Sequence, residues 1–245
     1  MKQAIFTVSQ NERLTKNVYL MRLIGDTGDI TAPGQFVNIR LDGLFLRRPI
    51  SVCDREGEKL TLVYKTVGRG TEQMSHLQPG EKLDLLTGLG NGYRLDVRAD
   101  RISVLGGGVG IPPLYWLTKE LVGHGKHVKV RLGFNTREEV FFLDEFRALT
   151  SDFGVCTVDG SLGEKGFVTD TLSDPETEYF YACGPLPMLK AACRLSQSGG
   201  QVSMEERMSC GFGACMGCSI QTLNGPRRVC REGPVFYKEE LKWTD

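Results

Sequence analysis

Residues 102–113 read Ile-Ser-Val-Leu-Gly-Gly-Gly-Val-Gly-Ile-Pro-Pro, a short apolar run that leads into a glycine-rich turn and a pair of prolines. Such a run, bounded by turn residues, is typical of a buried strand. Proline is tolerated in the first turn of a helix, and Leu114, Leu117 and Leu121 then recur at helical spacing. This stretch therefore predicts a strand, a tight turn and a helix in direct succession.

The chain on the carboxyl side of this stretch continues the alternation of strand and helix patterns. Further strands are predicted at 127–132, 153–158, 179–182 and 201–204, and a helix at 186–196. Strands that alternate with helices indicate a parallel sheet. We therefore predict an α/β nucleotide-binding domain over residues 99–206.

Residues 1–98 have a different pattern. Short alternating or β-branched runs at 17–23, 35–41 and 59–67 are separated by turn sequences such as Ala32-Pro33-Gly34. This spacing predicts a small antiparallel barrel. The predicted fold class is thus α/β plus β, with a third, cysteine-bearing segment at 207–245.

Composition excludes some classes of function. The chain has 30 Lys and Arg against 30 Asp and Glu in 245 residues, so its formal net charge is zero. Binding to nucleic acid depends on surplus positive charge, so this balance argues against it. No apolar stretch reaches the length of about 18 residues that indicates a membrane span, and the amino-terminal stretch lacks the apolar block of a secretory signal. We expect a cytoplasmic protein without a membrane span.

Four of the eight cysteines are bunched near the carboxyl end, at Cys210, Cys215, Cys218 and Cys230. The C-x4-C-x2-C spacing with a distant fourth cysteine is that of a plant-type [2Fe–2S] cluster. Glycines between these cysteines allow the chain to wrap closely around a small cluster. Structural zinc is the alternative, although it more often uses two C-x2-C pairs. The spacing predicts these four cysteines as metal ligands.

The glycine turn at Gly106, Gly107, Gly108 and Gly110 is a candidate phosphate site, because main-chain N–H groups at the start of a helix are unpaired donors. It departs from the G-x-G-x-x-G pattern, and a tight turn without a ligand is the alternative. Residues 133–135, which follow the next predicted strand, include no acidic side chain to hold a ribose. The choice between NAD and NADP therefore stays open.

Two further motifs are less specific by themselves. An arginine beside a hydroxyl on a strand, as at Arg48 and Ser51, can clamp a pyrophosphate, and Gly70-Thr71 can offer N–H groups to the same anion. The alternative is that the arginine is a solvated surface charge. Cys183-Gly184-Pro185 follows a predicted strand, where a turn with a buried cysteine is the simpler interpretation.

Taken together and in this order, the barrel, R-x-x-S, G-x-G-T, the glycine turn and C-G-P resemble the ferredoxin–NADP⁺ reductase-like flavoproteins. The C-terminal cysteine pattern and Gly233-Pro234-Val235-Phe236 narrow the resemblance. Over essentially its whole length, the chain is similar to the family of electron transfer subunits of type B dihydroorotate dehydrogenase. That resemblance implies FAD, a [2Fe–2S] cluster and NAD(H) as cofactors.

The resemblance also implies which residues lie beside each organic cofactor. On the FAD side they are Arg48, Pro49, Ile50, Ser51, Val63, Tyr64, Lys65, Gly70 and Thr71. On the NAD(H) side they are Gly106, Gly107, Gly108, Gly110, Cys183, Gly184 and Pro185. The wider superfamily usually has Tyr where Ile50 stands, so the resemblance leaves open what packs on the flavin ring.

The function implied by the family is electron transfer in pyrimidine biosynthesis. Electrons pass from dihydroorotate to the FMN of a catalytic partner subunit, then through the cluster and FAD to NAD⁺, in a heterotetramer with two copies of each chain. A flavin belongs between the other two centres, because nicotinamide exchanges two electrons at once and the cluster one. No catalytic side chain is predicted in this chain.

Three alternatives stay open from the sequence. A related FAD and [2Fe–2S] subunit of a hydrogenase or bifurcating complex shares the same modules. A zinc-stabilised binding module shares only the clustered cysteines. A standalone NADH reductase would need no partner. The identity of the partner, together with the metal and flavin contents, distinguishes them.

Overall fold

Residues 1–173 and 176–243 are described by the computed structural model, and the first feature along the chain is a closed barrel of antiparallel strands. Its six strands are β1 Lys2–Arg13, β2 Val18–Ile24, β3 Phe36–Ile39, β4 Arg48–Glu56, β5 Lys59–Lys65 and β6 Lys82–Leu89, with a short helix, α1, at Arg69–Ser75. Their order around the barrel is β1-β2-β5-β4-β3-β6. The predicted strands at 17–23, 35–41 and 59–67 correspond to β2, β3 and β5.

Strand alternation explains how the barrel fills its interior. In β6, every second residue is buried, as at Leu83 and Leu85, while the residues between them are more exposed. Successive side chains of a strand point to opposite faces, so one face of β6 packs inside the barrel. β3 is the exception, because all four of its residues are buried. Its outer face is covered by the cysteine-bearing C-terminal segment.

The second half of the chain forms a seven-stranded sheet and a small hairpin. The strands are β7 Arg101–Gly107, β8 His127–Phe134, β9 Phe153–Thr157, β10 Glu164–Lys165, β11 Tyr179–Cys183, β12 Gly199–Ser203, the hairpin pair β13 Ser219–Thr222 and β14 Gly225–Arg228, and β15 Val235–Tyr237. The helices are α2 Pro112–Gly123, α3 Leu143–Arg147 and α4 Leu186–Leu195. Each strand and helix predicted for the α/β region is present, and the predicted fold class is confirmed.

The order of the large sheet places a ligand crevice at its centre. The order is β10-β9-β8-β7-β11-β12-β15, and β7 pairs in parallel with both β8 and β11. The chain continues from β7 to β8 on one side and later returns from β10 to β11 on the other side of β7, so the carboxyl ends of β7 and β11 border a topological switch point. Open α/β sheets bind ligands in the crevice at such a point.

The C-terminal segment is not structurally separate from the nucleotide-binding sheet. β15 pairs antiparallel with β12, and Phe236 lies opposite Val202. The predicted segment 207–245 therefore contributes the last strand of that sheet, and the domain boundaries proposed from the sequence stay a prediction.

The barrel and the sheet share one apolar core. Val18, Leu20 and Val63 of the barrel pack with Ile111 and Leu114 around the start of α2. Burial of apolar side chains contributes about 25 cal/mol per Å² removed from water, so this shared core fixes the two halves against each other.

Lys119 on α2 forms ion pairs with two carboxylates of β4 across the same boundary. It donates to both carboxylate oxygens of Asp54, at 3.1 and 2.9 Å, and to Oε1 of Glu56 at 2.9 Å. Across residues 1–173 and 176–243, no helix has the length and apolar character needed to cross a membrane.

Candidate cofactor crevice and cysteine cluster

A crevice of about 400 Å³ lies between the barrel and the carboxyl ends of the parallel strands. The barrel contributes Pro49, Ser51 and Lys65 to its wall. The sheet contributes six of the residues predicted for the NAD(H) side, namely Gly107, Gly108, Gly110, Cys183, Gly184 and Pro185. The residues predicted for FAD and those predicted for NAD(H) are far apart in sequence but line the same crevice. Such an arrangement would place the two cofactors next to each other.

Most glycines of the turn are required by packing within the protein. A Cβ on Gly110 would lie 2.6 Å from the main chain of Cys183 and Gly184, and one on Gly107 would lie 2.5 Å from the sulfur of Met188. Gly108 is different, because its φ is +51° and no atom lies within 4 Å of a Cβ built there. Gly108 lines the crevice, so it is the glycine of this turn that a ligand can approach.

This difference predicts opposite effects for two alanine substitutions. We expect Gly108→Ala to raise the KM for NADH about tenfold while the protein keeps its fold, because the added methyl group enters the crevice and the left-handed φ costs only about 1–2 kcal/mol. Gly110→Ala should lower the melting temperature instead, because its methyl group collides with main chain. Steady-state NADH–dye kinetics and thermal melts measure both. An unchanged KM in Gly108→Ala would contradict this assignment.

A second crevice, of about 440 Å³, continues from Gly108 along the carboxyl end of β8. Glu139 lies in the walls of both crevices. One of its carboxylate oxygens accepts hydrogen bonds from the main-chain N–H of Asn135 at 3.3 Å and from the Asn135 side chain at 2.8 Å. The sequence indicated no acidic residue at 133–135, but a 3₁₀ turn at Arg137–Glu139 brings this carboxylate back to the end of β8. A carboxylate at this place can accept hydrogen bonds from ribose hydroxyls.

Arg48 and Arg47 are adjacent in sequence but have different surroundings. Arg47 forms two hydrogen bonds of 3.0 Å to one carboxylate oxygen of Asp84. Arg48 donates to the main-chain oxygens of Leu46 and Arg47, and no carboxylate pairs with it within residues 1–173 and 176–243. Its guanidinium lies so close to Gly70 that a Cβ there would be 2.2 Å from Nε. The structure thus brings Arg48 and Gly70 together and leaves the arginine charge available to an anion.

Most of the side chains on β5 and α1 that the resemblance places beside FAD contact the protein interior instead. The Tyr64 hydroxyl donates to Oδ1 of Asn11 at 3.0 Å inside the barrel, and burial raises its pKa. Val63 is buried in the shared core. The Thr71 hydroxyl accepts from the main-chain N–H of Val67 at 2.9 Å. Of the predicted residues on β5 and α1, Lys65 is the one that lines the crevice.

Seven predicted residues do not line either crevice, namely Arg48, Ile50, Val63, Tyr64, Gly70, Thr71 and Gly106. Gly106 packs against Ile111, 2.7 Å from a Cβ built on it, and it does not line either space. Ile50 is half-buried and packs against the barrel core. The aromatic ring that the wider superfamily has at this position is therefore replaced by an aliphatic side chain turned toward the barrel.

The four clustered cysteines are arranged as two pairs. The sulfurs of Cys210 and Cys215 are 3.3 Å apart, and Cys230, whose pKa burial raises, lies close enough to Cys218 for that thiol to raise its pKa further. In the described part of the chain, no group of three or more His, Cys, Asp or Glu side chains is arranged to hold one metal ion. Tetrahedral zinc needs four ligands on a single ion, whereas a [2Fe–2S] cluster has two irons to share among four cysteines. Two pairs of thiols therefore fit the cluster.

Main-chain N–H groups surround the first sulfur of the cluster loop, which we define as residues 210–218. The Cys215 N–H lies 3.4 Å from the sulfur of Cys210. Burial acts to raise the pKa of Cys210, but the N–H groups of Cys215, Phe212 and Ala214, together with the Cys215 thiol, outweigh it and lower the pKa to about 6. Gly211 and Gly213 have φ of +73° and +91°, and this left-handed backbone turns the N–H groups inward. A metal binds the thiolate form of cysteine, so the lowered pKa of Cys210 favours the form that a metal would bind.

Burial and the neighbouring Cys218 thiol raise the pKa of Cys230 to about 12. The predicted ligand set therefore combines a thiol that ionises readily with one that would release its proton on metal binding.

Comparison with known proteins assigns these two regions to families. The family described as the iron-sulfur cluster binding domain of dihydroorotate dehydrogenase B matches residues 205–242. The oxidoreductase NAD-binding domain family matches residues 104–194. A protein of Geobacillus sp. (strain WCH70) named dihydroorotate dehydrogenase B (NAD⁺), electron transfer subunit, is 42% identical over 255 residues, which cover 98% of this chain and 99% of the relative. This chain belongs to that family.

Other relatives agree with this family. The protein of the same name from Fusobacterium nucleatum subsp. nucleatum is 40% identical and covers 96% of this chain and 97% of its own length. A solved structure of an NADH-dependent reduced ferredoxin–NADP oxidoreductase, described for flavin-based electron bifurcation, has a TM-score of 0.88 and 28% identity over 97% of this chain and 90% of that one. The higher identity to the dihydroorotate dehydrogenase relatives favours the main prediction over the alternative of a bifurcating complex.

A more distant structure shows the same fold. Ferredoxin NADP⁺ reductase from Neisseria gonorrhoeae, with bound FAD and NADP, has a TM-score of 0.68 at 17% identity, over 80% of this chain and 90% of that one. The predictions of the family, of an NAD-dependent oxidoreductase subunit and of FAD, a [2Fe–2S] cluster and NAD(H) as cofactors are confirmed. The assignment of single residues to each cofactor stays a prediction.

Proposed function

We propose that this chain carries electrons from the oxidation of dihydroorotate on an FMN-containing catalytic subunit to NAD⁺, as a step in pyrimidine biosynthesis. The observation that carries the proposal is the short distance along the chain between the cluster loop and the crevice. Met208 lines the crevice, and Cys210 begins the cluster loop only two residues later. A site for single-electron transfer thus adjoins a crevice built for two organic cofactors.

The residues of this chain would bind and orient the cofactors, and the cofactors would supply the redox chemistry. When bound, the cluster passes single electrons, FAD passes one or two, and the nicotinamide exchanges a hydride. Arg48 would pair with the FAD pyrophosphate, since its charge has no carboxylate partner in the described residues. Gly108 would admit the nicotinamide nucleotide, and Glu139 would accept hydrogen bonds from a ribose. The two thiol pairs would each hold one iron.

Exposed apolar side chains support a protein partner beside the cluster. Phe45 at the tip of the loop between β3 and β4 is fully exposed, and Leu46 and Leu186 are exposed along the same groove. Met216 in the cluster loop is also exposed. Exposed apolar side chains that lie along one groove mark an interaction surface. We assign this surface to the catalytic subunit, in a complex with two copies of each chain, and a cytoplasmic location stays a prediction.

Reconstitution with an FMN-containing dihydroorotate dehydrogenase subunit tests the proposed function. The mixture should reduce NAD⁺ with dihydroorotate, and each chain alone should not. Iron, sulfide and flavin assays on this chain should give two irons, two sulfides and one FAD. Reduction of NAD⁺ by this chain without a partner would favour a standalone reductase, and zinc without flavin would overturn the proposal.

A charge placed at the exposed loop tip should weaken assembly with the catalytic subunit without affecting dye reduction by NADH. Phe45→Asp should weaken assembly with the catalytic subunit by about 30-fold or more, because an aromatic anchor at an interface typically contributes 2 kcal/mol or more. NADH–dye reduction by the isolated chain at saturating FAD should stay unchanged, since Phe45 does not line the cofactor crevice, although it shares its own groove with Arg48. Size-exclusion chromatography and coupled activity measure the effect. Leu223→Asp, an exposed leucine on the β13–β14 turn, is the matched control and should assemble normally.

A further inference from the structure

Asn38 is a buried polar residue in an otherwise apolar strand. It is 1% exposed in the middle of β3, where its neighbours Val37 and Ile39 point into the barrel core. Strand alternation therefore places Asn38 on the outer face. There its Nδ2 donates to the main-chain oxygen of Cys210 at 3.2 Å, and its Oδ1 has no hydrogen-bond partner within residues 1–173 and 176–243.

Burial of the Asn38 side chain lowers the stability of the fold, and in the described part of the chain the side chain forms only one hydrogen bond there. A buried acceptor without a partner is unfavourable, because it has lost its hydrogen bonds to water. An apolar side chain would avoid that cost, as Phe36 does on the same face of β3. The contribution specific to Asn38 is therefore its contact with the first cluster cysteine. The contact is tight, since a Cβ on Gly211 would lie 2.3 Å from Nδ2.

The other neighbour of Asn38 belongs to the strand predicted to hold FAD. Asn38 lies directly opposite Pro49 of β4 in the register of the barrel. Side chains opposite each other on antiparallel strands stand side by side on one face, and Pro49 lines the crevice. One side chain thus links the peptide of Cys210 to the wall of the flavin crevice.

We infer that Asn38 is a positioning residue that fixes the cluster loop against the strand that holds the flavin. The inference rests on the proposed function, because it assigns the residue to electron transfer between those two groups. The amide holds the Cys210 peptide at a set distance from β4, so the separation of the two redox centres does not vary with loop motion. Without that hydrogen bond, the loop is free to shift away from the flavin.

Two substitutions in the cofactor-loaded chain test this role. Asn38→Asp keeps the size of the side chain but removes the donor, and Asn38→Ala removes the whole amide. In both, we expect the rate of cluster reduction by NADH, divided by the rate of dye reduction in the same protein, to fall about 10- to 100-fold, the usual effect of losing an outer-shell partner of a metal site. The electron paramagnetic resonance spectrum of the reduced cluster should also change, and its potential should fall further in Asn38→Asp because of the added negative charge.

The matched control is Asn91→Ala. Asn91 also joins the barrel to the C-terminal segment, through hydrogen bonds to Glu232 and Val235, but it does not touch the cluster loop. The Asn91→Ala substitution should lower the melting temperature without changing the ratio of cluster reduction to dye reduction or the electron paramagnetic resonance spectrum. A wild-type ratio and spectrum in both Asn38 variants would overturn the inference, as would an equal change in Asn91→Ala. A wild-type chain that holds neither cluster nor flavin would overturn the proposed function itself, which the other outcomes leave intact.

Discussion

Cys215→Ser should remove the cluster while FAD and the reduction of dyes by NADH are retained. Cys215 forms one thiol pair with Cys210 and supplies an N–H group to that residue's sulfur. Loss of an outer-shell partner alone costs about 10- to 100-fold in metal affinity or activity, so loss of a ligand should reduce electron transfer from dihydroorotate to NAD⁺ by at least about 100-fold. Iron and sulfide analysis, the visible spectrum and coupled activity measure the change.

The matched control for this prediction is Cys193→Ser. Cys193 is a half-buried cysteine on α4, where burial raises its pKa to about 12, and it is not one of the paired thiols. This variant should keep the cluster and the coupled activity. If Cys215→Ser loses FAD together with the cluster, the two sites are not independent, and the separation of the flavin crevice from the cluster loop is wrong.

Arg48→Ala should release FAD. The Arg48 charge has no carboxylate partner in the described residues, and it lies against Gly70 beside the β4 strand. A charge-assisted hydrogen bond to an anion is worth about 1.5–3 kcal/mol, which corresponds to an FAD affinity weaker by about 10- to 150-fold. Fluorescence titration of the apoprotein with FAD measures the dissociation constant directly. Thermal melts of the apoprotein should change little, since no ion pair is lost.

Arg47→Ala is the control that separates binding from folding. Its guanidinium is committed to Asp84, at 3.0 Å, and both side chains are largely buried. Removing it should destabilise the apoprotein by about 2 kcal/mol, the usual cost of losing a hydrogen bond to a charged group, with little effect on the affinity for FAD. If Arg47→Ala weakens FAD binding more than Arg48→Ala does, the predicted arginine is the wrong one of the two.

The clustered cysteines and the glycine turn could be recognised in the sequence because both are local patterns. Three of the four cysteines lie within nine residues, and a short loop must place its own sulfurs around a small cluster. The position of Tyr64 was open to the same kind of reasoning. It shares strand parity with Leu60 and Leu62, which fill the barrel, so alternation alone turns its side chain away from the crevice.

Glu139 was not predicted from the sequence, because its position at the end of β8 depends on the folded structure and not on a local pattern. It lies several residues beyond the end of β8, in a 3₁₀ turn at Arg137–Glu139. That turn and the hydrogen bonds from Asn135 bring the carboxylate back to the strand end. No pattern in the sequence marks such a return. The resemblance of the C-G-P motif indicated Cys183, but its contact with Gly110 depends on the pairing of β7 with β11, which are far apart in the chain.

The sequence by itself determined the barrel, the strand–turn–helix unit and the clustering of four cysteines, because strand periodicity, turn residues and cysteine spacing are all local features. The tertiary structure decided which glycine a ligand can approach, which of two adjacent arginines keeps an available charge, and that Asn38 lies between the cluster loop and β4. These outcomes depend on long-range pairing and on burial of apolar faces, which bring together residues that no local pattern connects.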